Sequence, residues 1–171
     1  MEEEAEIQGH RLYTGATIEE QAAVGRIASW AASVEQNLAE LCVSLINQQD
    51  HEVGYAVIAN MSAGSMIQLA KKLVNDSDAV PEQERADFLA LLIAAQAGLK
   101  ERNKILHAST GELRIGDKPH FFHRRKRGSV ASGPQPYWEA TEYGQDELDE
   151  IGARLFKVSD DLWAYVNLPA D

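Results

Sequence analysis

Arg102-Asn103-Lys104-Ile105-Leu106-His107 places a guanidinium, an amide and an imidazole within about two turns of a helix. Together these side chains can bind a phosphate and move a proton, because a guanidinium fork matches phosphate oxygens and an imidazole changes charge near neutral pH. Asn103 and His107 are four residues apart and share a helix face. Arg102 and His107 are five apart, roughly 140° around the axis, so only a long side chain, a loosened last turn or a second subunit lets them converge. The apolar stripe of the same helix passes through Phe88, Leu92, Ala95, Leu99 and Leu106, which puts Arg102 in a core-facing slot. A buried charge costs several kcal/mol unless it is paired or used. Helix physics leaves a plainer reading open: cations near a helix C-terminus are favoured by the dipole, and Arg102 would also serve as a partner for a carboxylate such as Glu35 or Glu40.

The charge distribution bears on which ligand the motif meets. The 171-residue chain has 16 basic and 27 acidic residues, a net charge of −11, which opposes a nucleic-acid partner. Residues 100–128 are the exception. They carry nine Lys/Arg against three acids, a net of +6, and leave −17 on the remainder. A local anion site on an otherwise repulsive body is the reading this segregation supports. Within that stretch Arg124-Arg125-Lys126-Arg127 would grip an RNA backbone, or else form a solvated arm or dock on the acidic surface of a partner subunit.

The elements that must position the motif are helical. Thr17-Ile18-Glu19-Glu20 is a capping-box pattern, and behind it Ile27, Trp30, Ala31, Val34, Leu38, Leu41, Cys42, Leu45 and Ile46 recur at helical spacing, predicting a first helix over 18–49. A second helix is expected over 53–74, interrupted by Ser62-Ala63-Gly64-Ser65. Pro81, Glu82 and Glu84 suit the start of a third, running to Leu106 or His107. Leu148, Ile151, Leu155, Val158, Leu162 and Tyr165 alternate by three and four, a fourth amphipathic helix. Phe121-Phe122 and Tyr137-Trp138 flank a Gly/Ser/Pro stretch, which predicts a small β-hairpin over 119–143. The expected fold is all-α: an antiparallel four-helix up-and-down bundle over 17–168, with the hairpin inserted before the last helix and a flexible acidic segment over 1–16.

Other candidate chemistry is thin. His120 and His123 have an odd separation, so in a strand they point to opposite faces, and no metal site is expected. His10 and His51 read as solvated. Cys42, the single cysteine, falls on an apolar helical position and reads as a buried inert thiol. No glycine-rich phosphate loop, serine or cysteine nucleophile arrangement, or carboxylate cluster at metal spacing is visible. The acidic start Met1-Glu2-Glu3-Glu4 predicts no leader, and the apolar run from Phe88 to Leu99 is too short to span a bilayer. A cytoplasmic location is expected, with no cofactor and no membrane.

The arginine, the polar residue after it, three more residues and the histidine, at the end of a third helix and followed by Ala108-Ser109, resemble the signature of the HEPN superfamily. Ser62 to Leu73, small residues and then an amphipathic run, is similar to the second helix of many of its members, and the similarity covers about residues 18–167. The resemblance implies a homodimer whose paired motifs face one cleft, and a metal-independent endoribonuclease of toxin–antitoxin or phage-defence systems, with RNA and a cognate antitoxin as partners. It implies that Arg102 holds the scissile phosphate, that His107 is the general acid or base, and that Asn103 orients the imidazole or binds phosphate. Lys104 and Arg124 to Arg127 would add contacts to the RNA backbone. Other members of the superfamily are non-catalytic adaptors, which is the alternative function the resemblance carries.

Overall fold

A computed structural model describes residues 6–7, 10–11, 16–76, 80–115, 118–124 and 138–167. The chain folds as an all-α bundle with a small antiparallel sheet. Two two-residue strands, β1 (Glu6–Ile7) and β2 (His10–Arg11), pair with each other near the N-terminus. Five helices and three further strands follow: α1 (Ile18–Ile46), α2 (His51–Ile58), α3 (Ala63–Asp76), α4 (Glu82–Leu106), β3 (Ser109–Ile115), β4 (Lys118–Arg124), β5 (Trp138–Glu142) and α5 (Gln145–Val166).

Four of the five helices start where a side chain accepts from a backbone amide, and α4 starts with the Glu84 amide on the Pro81 carbonyl. The capping box at α1 is reciprocal: the Thr17 amide donates to Glu20 Oε2 at 2.7 Å, and the Glu20 amide donates to Thr17 Oγ1 at 3.1 Å. Asp50 caps α2 by accepting from the Glu52 amide. The helix expected over 53–74 is two helices. The Met61 amide closes α2 on the Ile58 carbonyl, and Ser62 Oγ then accepts from the Ser65 amide at 3.2 Å and so caps α3. At α5 the Gly144 amide donates to Glu147 Oε2 at 2.6 Å.

The β excursion is larger than a hairpin. Strands β3, β4 and β5 form a three-stranded antiparallel sheet in that order, with Thr110 opposite Phe121 and Phe121 opposite Thr141. The register of β3 against β4 shifts between Thr110 and Arg114, a bulge-like irregularity. The Gly/Ser/Pro stretch Gly128 to Pro136 lies outside the described residues.

By contact the chain divides into two compact units, residues 1–28 with 101–152, and residues 29–100 with 153–171. In the first, Ala23, Ile27, Ile105, Tyr143, Leu148 and Ile151 are buried. In the second, the buried set includes Val34, Leu38 and Val43 of α1, Ile67 and Val74 of α3, Leu92 of α4, and Leu155 and Leu162 of α5. Each such branched aliphatic side chain contributes about 1.5–3 kcal/mol on burial. Within the second unit Phe88 packs edge-on against Tyr165, and a Cβ at Gly98 would meet Leu155, so α4 and α5 run antiparallel there. Trp30 meets Phe156 and Asn37 meets Ser159, so along α1 and α5 the contacts advance in the same direction. Cys42 is buried, its thiol pushed up to about 11 by desolvation, and its Sγ lies 3.4 Å from the Met66 carbonyl as a weak donor. Among the described residues no helix is long and apolar enough to cross a membrane.

Candidate functional site

The hexapeptide forms the last turns of α4. The final α-type bond runs from the His107 amide to the Asn103 carbonyl at 3.1 Å. The Ala108 amide then turns back to the Ile105 carbonyl at 3.4 Å, and β3 begins at Ser109. The tighter closing turn thus falls at Ala108, one residue beyond His107.

Arg102 is half-buried, in keeping with its place beside the stripe. The rest of the stripe departs from expectation at its end: Ile105 is 1% exposed and Leu106 is 37% exposed. From Glu101 onward α4 belongs to the first compact unit and acquires different neighbours, so its buried face turns. One residue along a helix is about 100° around the axis, enough to exchange Leu106 for Ile105.

Arg102 Nη1 donates to Asn103 Oδ1 at 3.0 Å. That bond fixes one edge of the guanidinium and occupies the amide oxygen of Asn103, so Asn103 turns its NH2 donors to the surroundings. Lys104 lies 3.7 Å from Glu101 Oε2, a long ion pair with both side chains partly solvated. Asn103, Lys104 and His107 are all exposed. The structure thus joins Arg102 to Asn103 and presents Lys104 and His107 to solvent. An anion approaching here meets the negative end of the α4 dipole, so the cationic side chains must outweigh it. Of the two carboxylates weighed as partners for Arg102, Glu40 accepts from the Tyr55 hydroxyl at 2.8 and 2.6 Å.

One polar neighbour of the motif escapes sequence reasoning. Tyr143, 5% exposed, donates from its hydroxyl to Glu101 Oε1 at 3.2 Å. Burial pushes its phenol up to about 12, reinforced by the Glu101 charge and hydrogen bond and by Glu147. Position 143 precedes the last helix by two residues and belongs to no periodic pattern, so only its aromatic ring before a capping sequence could have drawn notice. Of the basic run, Arg124 is the last residue of β4, where its backbone pairs with Trp138, and Arg125, Lys126 and Arg127 lie outside the described residues. His120 and His123 occupy β4 opposite Glu142 and Glu139.

No family model, no curated protein and no solved structure matches the chain.

Proposed function

We propose that the chain is a metal-independent endoribonuclease of HEPN type, acting in the cytoplasm as a homodimer in a toxin–antitoxin or phage-defence system. The observation that carries this reading is the Arg102–Asn103 bond at the end of α4, with His107 exposed beyond it, inside the one stretch where positive charge dominates. In the proposed reaction a ribose 2′-oxygen attacks its own 3′-phosphate. The bond from phosphorus to the 5′-oxygen breaks, leaving a 2′,3′-cyclic phosphate on one fragment and a 5′-hydroxyl on the other. Arg102 would neutralise the non-bridging oxygens of the phosphate. His107 would take the 2′-hydroxyl proton or deliver one to the departing 5′-oxygen, and its counterpart in the second subunit would do the other. Asn103 would donate to the phosphate, and Lys104 with Arg124 to Arg127 would hold the strand on either side.

A second reading is a non-catalytic dimeric adaptor of the same superfamily. It is favoured by the same Arg102–Asn103 bond, because a hydrogen bond between neighbouring site groups within one chain supports a helix end without any ligand. Cleavage of a mixed RNA pool in EDTA by wild type, Arg102→Ala and His107→Ala separates the two. The nuclease reading expects cyclic-phosphate ends from wild type and a loss of about 100-fold or more in His107→Ala, the scale of general acid–base catalysis. Equal cleavage by wild type and His107→Ala, or none by wild type, overturns it.

A further inference from the structure

The second compact unit holds an open cavity of about 260 Å³ between α1 and α5. Three of its eight lining residues are aromatic: Trp30 and Phe156 meet edge to face at 4.6 Å between centroids, and Trp163 is 57% exposed. Asp160 adds a carboxylate to the same cavity. The nearby lysine of α5, Lys157, is bonded at 2.9 Å to both oxygens of Asp161, and Asp160 carries no ion pair among the described residues.

Two neutral polar groups of the lining, Asn37 and Ser33, present acceptors. Asn37 Nδ2 donates to the Ser159 carbonyl at 2.9 Å and to Ser159 Oγ at 3.1 Å. The amide oxygen is therefore the end left for a ligand. Ser33 Oγ donates its proton to the Ser29 carbonyl at 3.3 Å, so its lone pairs remain. Beside these acceptors the lining carries three aromatic rings and Gln36, whose amide offers an acceptor as well as donors, so the Asp160 carboxylate sets the sign of the cavity. Such a lining repels phosphate and attracts a cation with many N–H groups. The unit around it is acidic as well, with six Lys/Arg and twelve Asp/Glu over 29–100 and 153–171.

We infer that this cavity is a binding site for an alkylguanidinium, either the side chain of an arginine in a polypeptide or a free compound of the same chemistry. A guanidinium is planar and weakly hydrated, so it stacks on an indole face while its fork meets a carboxylate in two parallel bonds. An ammonium offers neither the plane nor the fork. The alkyl stem is covered by Phe156 and Trp30.

Titration of 15N-labelled full-length protein with butylguanidinium tests the site through the indole N–H signals. Trp30 and Trp163 are expected to shift saturably while Trp138, on β5, does not. Asp160 is exposed, so Asp160→Asn is expected to fold normally and to bind about tenfold more weakly, the loss of a charged hydrogen-bonded pair. Trp163→Ala, also at an exposed position, is expected to weaken binding severalfold, and butylammonium to bind more weakly than butylguanidinium. No saturable shift, an unchanged affinity in Asp160→Asn, or equal binding of a phosphate monoester overturns the inference. A parallel titration with a blocked Gly-Arg-Gly peptide distinguishes the sources. Tighter binding of the peptide assigns the site to a polypeptide arginine, and tighter binding of butylguanidinium assigns it to a free compound.

Discussion

Two glycines inside helices should respond differently to the same substitution, and the difference can be worked out from their surroundings. A Cβ on Gly54 of α2 would lie 2.8 Å from Val43 Cγ1, 2.9 Å from Val43 Cα and 3.0 Å from the Val43 carbonyl oxygen. Two of those three atoms are backbone of α1 and cannot rotate away, so α2 itself must move. A Cβ on Gly98 of α4 would meet Leu155 Cδ2 at 2.8 Å and Cγ at 3.5 Å, the far end of a side chain that can adjust its torsions. Alanine in place of a helical glycine stabilises by about 1 kcal/mol. Overpacking against a wall that does not yield costs about 1–3 kcal/mol. Gly54→Ala should then lose about 0–2 kcal/mol, whereas Gly98→Ala should stay within about 1 kcal/mol of wild type, because Leu155 is fully buried but flexible. Urea denaturation followed by far-UV circular dichroism measures both, with the slope checked for constancy. Hydrogen exchange adds a local readout. An eight-residue helix such as α2 depends on its packing, so its amides should lose protection in Gly54→Ala and keep it in Gly98→Ala. A Gly54→Ala protein as stable as Gly98→Ala, with α2 still protected, would refute the close-approach argument.

Thr17→Ala removes one half of the reciprocal cap and should cost about 1 kcal/mol, and a Thr17→Ala, Glu20→Ala double-mutant cycle should return a coupling clearly different from zero. Additive losses would mean that the two bonds do not support each other. Tyr143 gives a pH test with a definite sign. Its phenol is raised to about 12 from the ordinary value near 10, so its contribution is complete below about pH 10 and disappears as pH rises toward 12. Tyr143→Phe should be less stable than wild type by about 1 kcal/mol at pH 8 and should close that gap by pH 11.5, read as urea midpoints. A gap that widens with pH contradicts the assignment.

The helices were legible because their signals are local. Thr17 and Glu20 announce the start of α1, and the small residues around Ser62 mark the position where α2 and α3 separate. The sheet was legible only in part. Phe121-Phe122 pointed to β4, but β3 mixes polar and apolar residues and contains the irregularity between Thr110 and Arg114, which breaks the two-residue alternation that identifies a strand. The exchange of Leu106 for Ile105 had no signal at all, because periodicity describes a helix with one set of neighbours and α4 has two. At the motif, residue types and spacing were sufficient to single out Arg102, Asn103 and His107. The Arg102–Asn103 bond and the Tyr143–Glu101 bond depend on rotamers and on residues 42 positions apart, which no pattern in the chain encodes.

The Tyr143–Glu101 bond has a consequence for how this chain tolerates changes in length. It ties the point where the chain leaves the sheet to the helix from which it set out, so the two ends of the β excursion are held together by the first unit itself. Closing a loop whose ends are already fixed costs little more when the loop grows, about 0.6 kcal/mol for each doubling of its length. A change of length within the excursion should therefore cost little in chain entropy as long as the β3–β4 and β4–β5 pairings are kept.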